Sequence, residues 1–323
     1  MAQRPLDPWP DLALPGVPET CRTLHLWSQL VGKTRLALAA PANHWWHVAL
    51  YVSARGLTTS PMPVGDRDVE IELDLLSHRL VLRDSDGDLA ALPLAGGSLS
   101  DFYARYVELL HAHGIDVPIR PIAVEIPELV RFDHDDAPRR YDRDAAARLF
   151  QALVQADRLL EEFRGGFIGK ASPVHLFWGS FDVAVTRFSG RSAPVHPGGA
   201  PHCPDWVMRE AYSHEVSSAG FWPGDERLPE PVFYSYAYPE PAGFRDARVE
   251  PRAARYEAAL GEFVLPYAAV RAAADPNAAV RAFLETTYEA AAELGGWDRK
   301  ALEAPRHARG APRGLVALDP SLA

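Results

Sequence analysis

The sequence predicts an α+β fold of two similar halves, each a helix, an antiparallel sheet and a helix, packed as one compact unit. Three observations carry that expectation. Four segments show helical periodicity, the stretches between them show strand alternation and turn residues, and the order of elements runs through the chain twice. The boundaries are an irregular lead-in over 1–19, a first half over 20–130, a second over 135–296, and a loose Ala/Pro/Arg tail over 303–323.

Thr20 is placed to cap the first helix, with Leu24, Trp27, Val31 and Leu38 on one stripe and Pro41 just beyond its end. Val69 to Leu75 then alternates apolar with acidic residues, which predicts a strand with one buried face and one wet, acidic face. Arg79 to Arg83 and the turn at Asp86-Gly87 continue an antiparallel meander. A second helix follows Ser98, with Leu99, Phe102, Tyr103, Tyr106, Val107 and Leu110 on one face and Gly114 as its stop.

The second half opens with a helix near Asp142 that carries Leu149, Leu153, Ala156, Leu160 and Phe163 to Gly165-Gly166. Asp182 to Phe188, Tyr212 to Phe221 and Val232 to Tyr238 read as strands. The last helix has Asp275 as its cap and Pro276 in its first turn, with Val280, Phe283, Leu284, Tyr288 and Ala291 facing inward.

Composition bounds the function. The chain has 323 residues, 47% of them hydrophobic, and a net charge of −10, which argues against nucleic-acid binding through a basic footprint. Two cysteines, Cys21 and Cys203, are too few for a disulfide framework and form no zinc pattern. Met1 to Pro18 lacks the basic and apolar regions of a signal peptide. Leu36 to Ala54 is free of Asp, Glu, Lys and Arg, but Pro41, Asn43, His44 and His47 sit at its centre, so it is read as core and not as a membrane span. A cytoplasmic protein of open oligomeric state is expected.

One motif occurs twice: a proline, a histidine among aromatics, then a strand-like run. The copies are Pro41-Ala42-Asn43-His44-Trp45-Trp46-His47 and Pro173-Val174-His175-Leu176-Phe177-Trp178-Gly179-Ser180-Phe181-Asp182. Histidine and tryptophan carry polar atoms that need partners when buried, so such clusters suggest a pocket wall. Duplication and coincidence both fit the letters. A symmetric duplication would put His44 and His175 in equivalent positions. The three-residue spacing of His44 and His47 suits a shared metal on a helix but opposes the two on a strand. Gly179 allows a close approach by backbone or ligand. In Tyr212-Ser213-His214-Glu215, strand geometry sets His214 opposite Ser213 and Glu215. Tyr234, Tyr236 and Tyr238 share a strand face, as a core stripe or a stacking wall.

Familiar cofactor signatures are missing. Gly32-Lys33-Thr34 ends like a phosphate loop, but Trp27 stands where that loop needs glycine, and Gly165 to Ala171 lacks the spacing. No GxSxG elbow and no GxGxxG after a strand occurs. His214-Glu215 opens like a zincin helix, but Ser218 replaces the second histidine. Nucleotide and dinucleotide cofactors are therefore not expected, and a metal stays open.

The segments Leu24-His25-Leu26-Trp27, Asn43 to His47, Ser172 to Asp182, Tyr212 to Glu215 and Phe233-Tyr234-Ser235-Tyr236 resemble an uncharacterised bacterial family, a domain of unknown function. The resemblance spans about residues 20–300. It implies a domain extent and no activity.

The residues themselves point to a small-molecule site. His175, His214, Glu215 and Asp182 are the candidate acid/base or metal-assisting groups. His44, His47, Trp45, Trp46, Trp178 and Trp222 are the candidate ligand-binding walls. The alternatives are a binding protein without catalysis and an interaction scaffold whose histidines are structural.

Overall fold

All four expected helices are present in the computed structural model, which describes residues 7–304. Helix α1 (Val17–Leu38) starts three residues ahead of Thr20. Pro18 accounts for the difference, because the first turn has no hydrogen bond for a proline to break, and Gly16 enters it at φ 89°. Helices α2 (Leu99–Ala112) and α3 (Arg143–Gly165) begin where Ser98 and Asp142 accept hydrogen bonds from Asp101 N and Ala145 N. Short α4 (Asp205–Ala211) and α5 (Tyr267–Ala272) follow, neither signalled by periodicity. Helix α6 (Pro276–Leu294) is capped by Asp275, and α7 (Arg299–Leu302) closes the described chain. Among the described residues no helix is long and apolar enough to cross a membrane.

The strands form two six-stranded antiparallel sheets. The first holds β1 (Tyr51–Val52), β2 (Gly56–Thr58), β3 (Met62–Val64), β4 (Arg67–Asp74), β5 (Arg79–Asp84) and β6 (Leu89–Pro93) in the order β1-β2-β4-β5-β6, with β3 also on β4. The second holds β7 (His175–Phe177), β8 (Asp182–Ser192), β9 (His214–Trp222), β10 (Val232–Tyr238), β11 (Arg255–Glu257) and β12 (Glu262–Pro266) in the order β11-β12-β10-β9-β8-β7.

The alternating strand β4 differs from its expected wet face. Glu72 and Asp74 are buried, at 4% and 3% exposure. Arg83 pairs with Glu72 at 3.0 Å, and Arg55 with Asp74 at 2.6 Å. Long arginine stems cover those carboxylates, which a pattern of letters along one strand does not reveal.

The edge strands of the two sheets meet. Leu50 and Leu176 exchange backbone hydrogen bonds of 2.9 and 2.7 Å, so the sheets are bridged at that point. His44 and His175 are not equivalent about it. His44 lies in a 3-10 turn over Asn43–Val48, while His175 is in β7, its ring 6.3 Å from that of Tyr51. The two histidines of the repeated motif therefore sit in different local structure, one in a turn and one in a strand.

The lead-in and tail also contribute. Trp9 and Leu12 are buried in the main core, and Ala304 is buried where Glu303 bridges to Phe167. The rest of the expected tail, 305–323, and positions 1–6 lie outside the described residues.

The second sheet positions the site. From one face Val183, Val185, Ala219, Phe221, Phe233, Phe263 and Leu265 join the main core with α3 and α6. From the other, Ala184, Trp222, Val232, Tyr234 and Val264 form a separate apolar cluster. Strand alternation produces the two faces, and the second becomes a cavity floor.

Candidate functional site

A cavity of about 850 Å³ stands on that second face. Asp182, Ala184, Thr186 and Phe188 of β8, Val216, Ser218 and Trp222 of β9, Tyr234, Tyr236 and Tyr238 of β10 and Glu262 of β12 face into it. Its roof comes from the 3-10 turn, through His44, Trp45 and Trp46, and from Val207, Met208 and Ala211 of α4. The tyrosine stripe on β10 is therefore a wall, with Tyr234 and Tyr236 stacked at 6.1 Å.

The hairpin between β7 and β8 supplies the polar end. Its turn, Trp178 to Phe181, closes with Phe181 N–H donating to Phe177 O at 2.7 Å, and Phe181 holds φ 64°. Trp178 packs its indole on Gly32 of α1, where a Cβ would lie 2.1 Å from the ring, and donates Nε1–H to Val48 O at 2.7 Å. Ser180 donates to Asp182 Oδ1 at 2.5 Å, and Tyr234 donates to Asp182 Oδ2. Burial raises the Asp182 carboxyl above its ordinary value, while those two hydroxyls pull it back.

Glu125 comes from the irregular stretch between α2 and α3. Its carboxylate rests on Gly179, where a Cβ would meet Oε1 at 2.3 Å. This is the close approach that glycine was expected to permit, made by a side chain. Gln29 of α1 clamps the preceding residue, accepting from Val124 N–H at 2.9 Å and donating to Val124 O at 2.9 Å. Glu125 N–H donates to Pro201 O at 2.7 Å, and the residue is held at φ 61°. Left-handed backbone at a non-glycine residue costs on the order of 1 kcal/mol and persists where surrounding contacts impose it.

His25 adds a further brace: it donates Nε2–H to Gly179 O at 2.8 Å and stacks on Phe181. His25, Gln29, Gly32 and Lys33 lie at i, i+4, i+7 and i+8, so one face of α1 carries the whole polar end.

Burial moves three groups at this end, Glu125, Glu262 and Lys33, toward neutrality. Burial, with the Asp182 charge adding to it, pushes Glu125 up to about 7. The same two causes raise Glu262 to about 8. Burial, then Arg120, lowers Lys33 to about 8, and its ammonium lies 5.6 Å from the Trp178 ring centre. Ser180, which donates to Asp182, also lies within hydrogen-bonding reach of Glu125, so the two carboxyls share one hydroxyl neighbour. A second hydroxyl row crosses the floor, with Thr186 2.9 Å from Ser218 and Tyr236 2.7 Å from Tyr212.

Of the expected site residues, Asp182, His44, Trp45, Trp46, Trp178 and Trp222 line the cavity. His44 is already satisfied: Nδ1–H donates to Ala211 O at 3.0 Å and Nε2 accepts from Lys170 Nζ at 2.7 Å. Burial lowers its basicity. His47 is not part of the lining. It accepts from Ala42 N–H at 3.1 Å through Nδ1, so the two histidines do not act as a pair.

His175 lies one layer out, fully buried against Phe177 and Tyr51, with neither ring nitrogen hydrogen-bonded. Burial and Arg35 hold it down to about 3, unsuited to acid/base work near neutral pH. The strand expected from Tyr212 begins only at His214, because Tyr212 caps α4. Ser213 in the turn places its hydroxyl 3.0 Å from His214 Nδ1 and not on the opposite face, so only Glu215 is set opposite as expected. His214 stands beside His44, their rings 5.6 Å apart, whereas Glu215 faces away and pairs with Arg191 at 2.6 Å. Among the described residues no three His, Cys, Asp or Glu side chains are grouped to hold a metal ion.

The chain belongs to a family of unknown function, DUF5996, which matches residues 9–304. No curated protein and no solved structure matches it.

Proposed function

We propose that this protein binds a small molecule with an aromatic or apolar body in the cavity over the second sheet. The observation that carries the reading is the cavity itself: about 850 Å³, walled by Trp46, Trp178, Trp222, Tyr234 and Tyr236, with polar groups gathered at one end. Small-molecule sites have this size and this mixture of apolar wall and few polar groups. The net charge of −10 favours a small molecule over nucleic acid as partner. Two unpaired cysteines, Cys21 and Cys203, support a cytoplasmic setting.

A second reading adds acid/base chemistry on the bound molecule. Glu125 favours it, being fixed in left-handed backbone, seated on Gly179 and raised to about 7. In that reading Glu125 exchanges a proton with the ligand.

The test is a titration with the neutral fluorophore N-phenyl-1-naphthylamine. Saturable binding near 1:1, lost when Ala184→Phe fills the floor while the fold is retained by circular dichroism, supports the reading. Unchanged binding in that variant contradicts it.

A further inference from the structure

We propose that the ligand is an organic cation, an amine or quaternary ammonium on an aromatic or apolar body. This inference rests on the cavity reading above.

Four carboxyl groups line the cavity, Glu125, Asp182, Glu240 and Glu262. Glu240 pairs with Arg245 at 2.8 Å, whereas among the described residues the other three form no ion pair. Arg227, which also lines the cavity, spends its guanidinium on Asp225 at 2.7 Å. Elsewhere in the chain buried carboxylates have arginine partners, as Glu72 and Asp74 do at 3.0 and 2.6 Å. The cavity therefore holds acidic groups with no ion-pair partner, only the longer-range field of Arg227, and a carboxyl there is held toward its neutral form until a cation arrives to favour the charged one.

The walls suit that cation. Aromatic faces attract positive charge through their quadrupole. Here the chain's own cations already take such faces, with Lys170 5.4 Å from the Trp46 ring centre and 5.0 Å from Phe188, and Arg227 5.7 Å from Trp222. Those cations stand at the wall, whereas Tyr234, which stacks with Tyr236, donates to Asp182 at the acidic end. A bound ammonium would sit against that tyrosine pair with the carboxyls as counter-ions. Lys33 and Arg227 are lining cations that oppose it; Arg227 is engaged by Asp225 at 2.7 Å, and the Lys33 ammonium, held down to about 8, can release its proton.

Proton linkage follows from the same contacts. Glu125 faces Asp182 and Ser180 from the hairpin, Arg227, and Lys33 and Cys203 across the lining. Asp182 faces Tyr234 and Glu262. With Glu125 and Glu262 at about 7 and about 8, both are largely protonated at pH 6. A cation that binds beside them displaces those protons, so its affinity rises with pH across that window.

The experiment is calorimetry on the full chain at pH 6, 7 and 8, with two probes of one shape: 3-(trimethylammonio)phenol, which is charged, and 3-tert-butylphenol, which is neutral. The expected result has three parts. The cation binds at least tenfold more tightly than the neutral probe at pH 8, it gains affinity from pH 6 to pH 8, and buffer-dependent heats show proton release. Asp182→Asn, or Glu262→Gln should the first variant fail to fold, weakens the cation about tenfold and the neutral probe much less. Equal affinities, or equal losses for both probes in the variant, overturn the inference while the cavity reading stands. Binding of neither probe at millimolar concentration overturns both.

Discussion

The carboxylate of Glu125 rests on the bare Cα of Gly179, so close that a methyl group there would come within 2.3 Å of Oε1. Two segments far apart in sequence are fitted together at the polar end of the cavity by a residue with no side chain. Gly179→Ala is expected to push Glu125 off its seat. The stability cost is small, because the displaced atom is the end of a flexible side chain with cavity to move into, and the main effect falls on the polar end of the cavity. Urea unfolding measures that loss, and fluorophore titration should show weakened binding in the same variant. Unchanged binding would mean that the contact positions nothing.

Glu125 also makes stability depend on pH in a direction opposite to an ion-paired carboxylate. Its folded value is raised to about 7 against an ordinary 4.5, so between those values the folded chain holds a proton the unfolded chain has released. That stabilisation is complete below pH 4.5 and is lost as pH rises to about 7. Glu125→Gln has no proton to lose. It should gain on the wild type across this window by about 3 kcal/mol, then stay level above it. Paired urea melts from pH 5 to 8 check this, and a difference flat with pH contradicts it.

His175 is expected to be dispensable for binding. It is 1% exposed with both ring nitrogens unpartnered, so it pays for burial without a hydrogen bond in return. His175→Leu should leave stability within about 1 kcal/mol of wild type or raise it, with ligand affinity unchanged. A large loss of affinity with intact stability would restore this histidine to the site.

Gln29 holds the backbone that carries Glu125, through 2.9 Å hydrogen bonds to both Val124 N and Val124 O. Gln29→Met keeps the volume and removes both bonds. The expected cost is about 2–3 kcal/mol, from two backbone groups left unpaired, with binding weakened alongside. Hydrogen exchange at the Val124 amide reads the local effect directly: it should accelerate. Unaltered exchange there contradicts the clamp.

The fold was largely readable because its helices and long strands are written in local pattern. Ser98, Asp142 and Asp275 act as caps where their spacing predicts. The walls of the cavity were readable for the same reason, since Trp45, Trp46, Trp178 and Trp222 cluster within motifs. The polar end was not. Glu125 lies in irregular chain, and only long-range contacts to α1 and the hairpin give it a role. Its signal in the sequence was the polar and small stripe His25, Gln29, Gly32 and Lys33 on a helix otherwise read for its apolar residues. His175 misled for a related reason. A histidine among aromatics marks a buried place, but three-residue β7 sets it behind the wall instead of in it.

The most direct measurement of the central claim is ¹⁹F NMR of protein carrying 5-fluorotryptophan at its eight tryptophans, titrated with 3-(trimethylammonio)phenol. Resonances of Trp46, Trp178 and Trp222, which line the cavity, should shift saturably together, while those of Trp9 and Trp27 in the main core stay fixed. Movement confined to tryptophans outside the cavity, or no movement at millimolar concentration of either this probe or 3-tert-butylphenol, would contradict the assignment of this cavity as the ligand site.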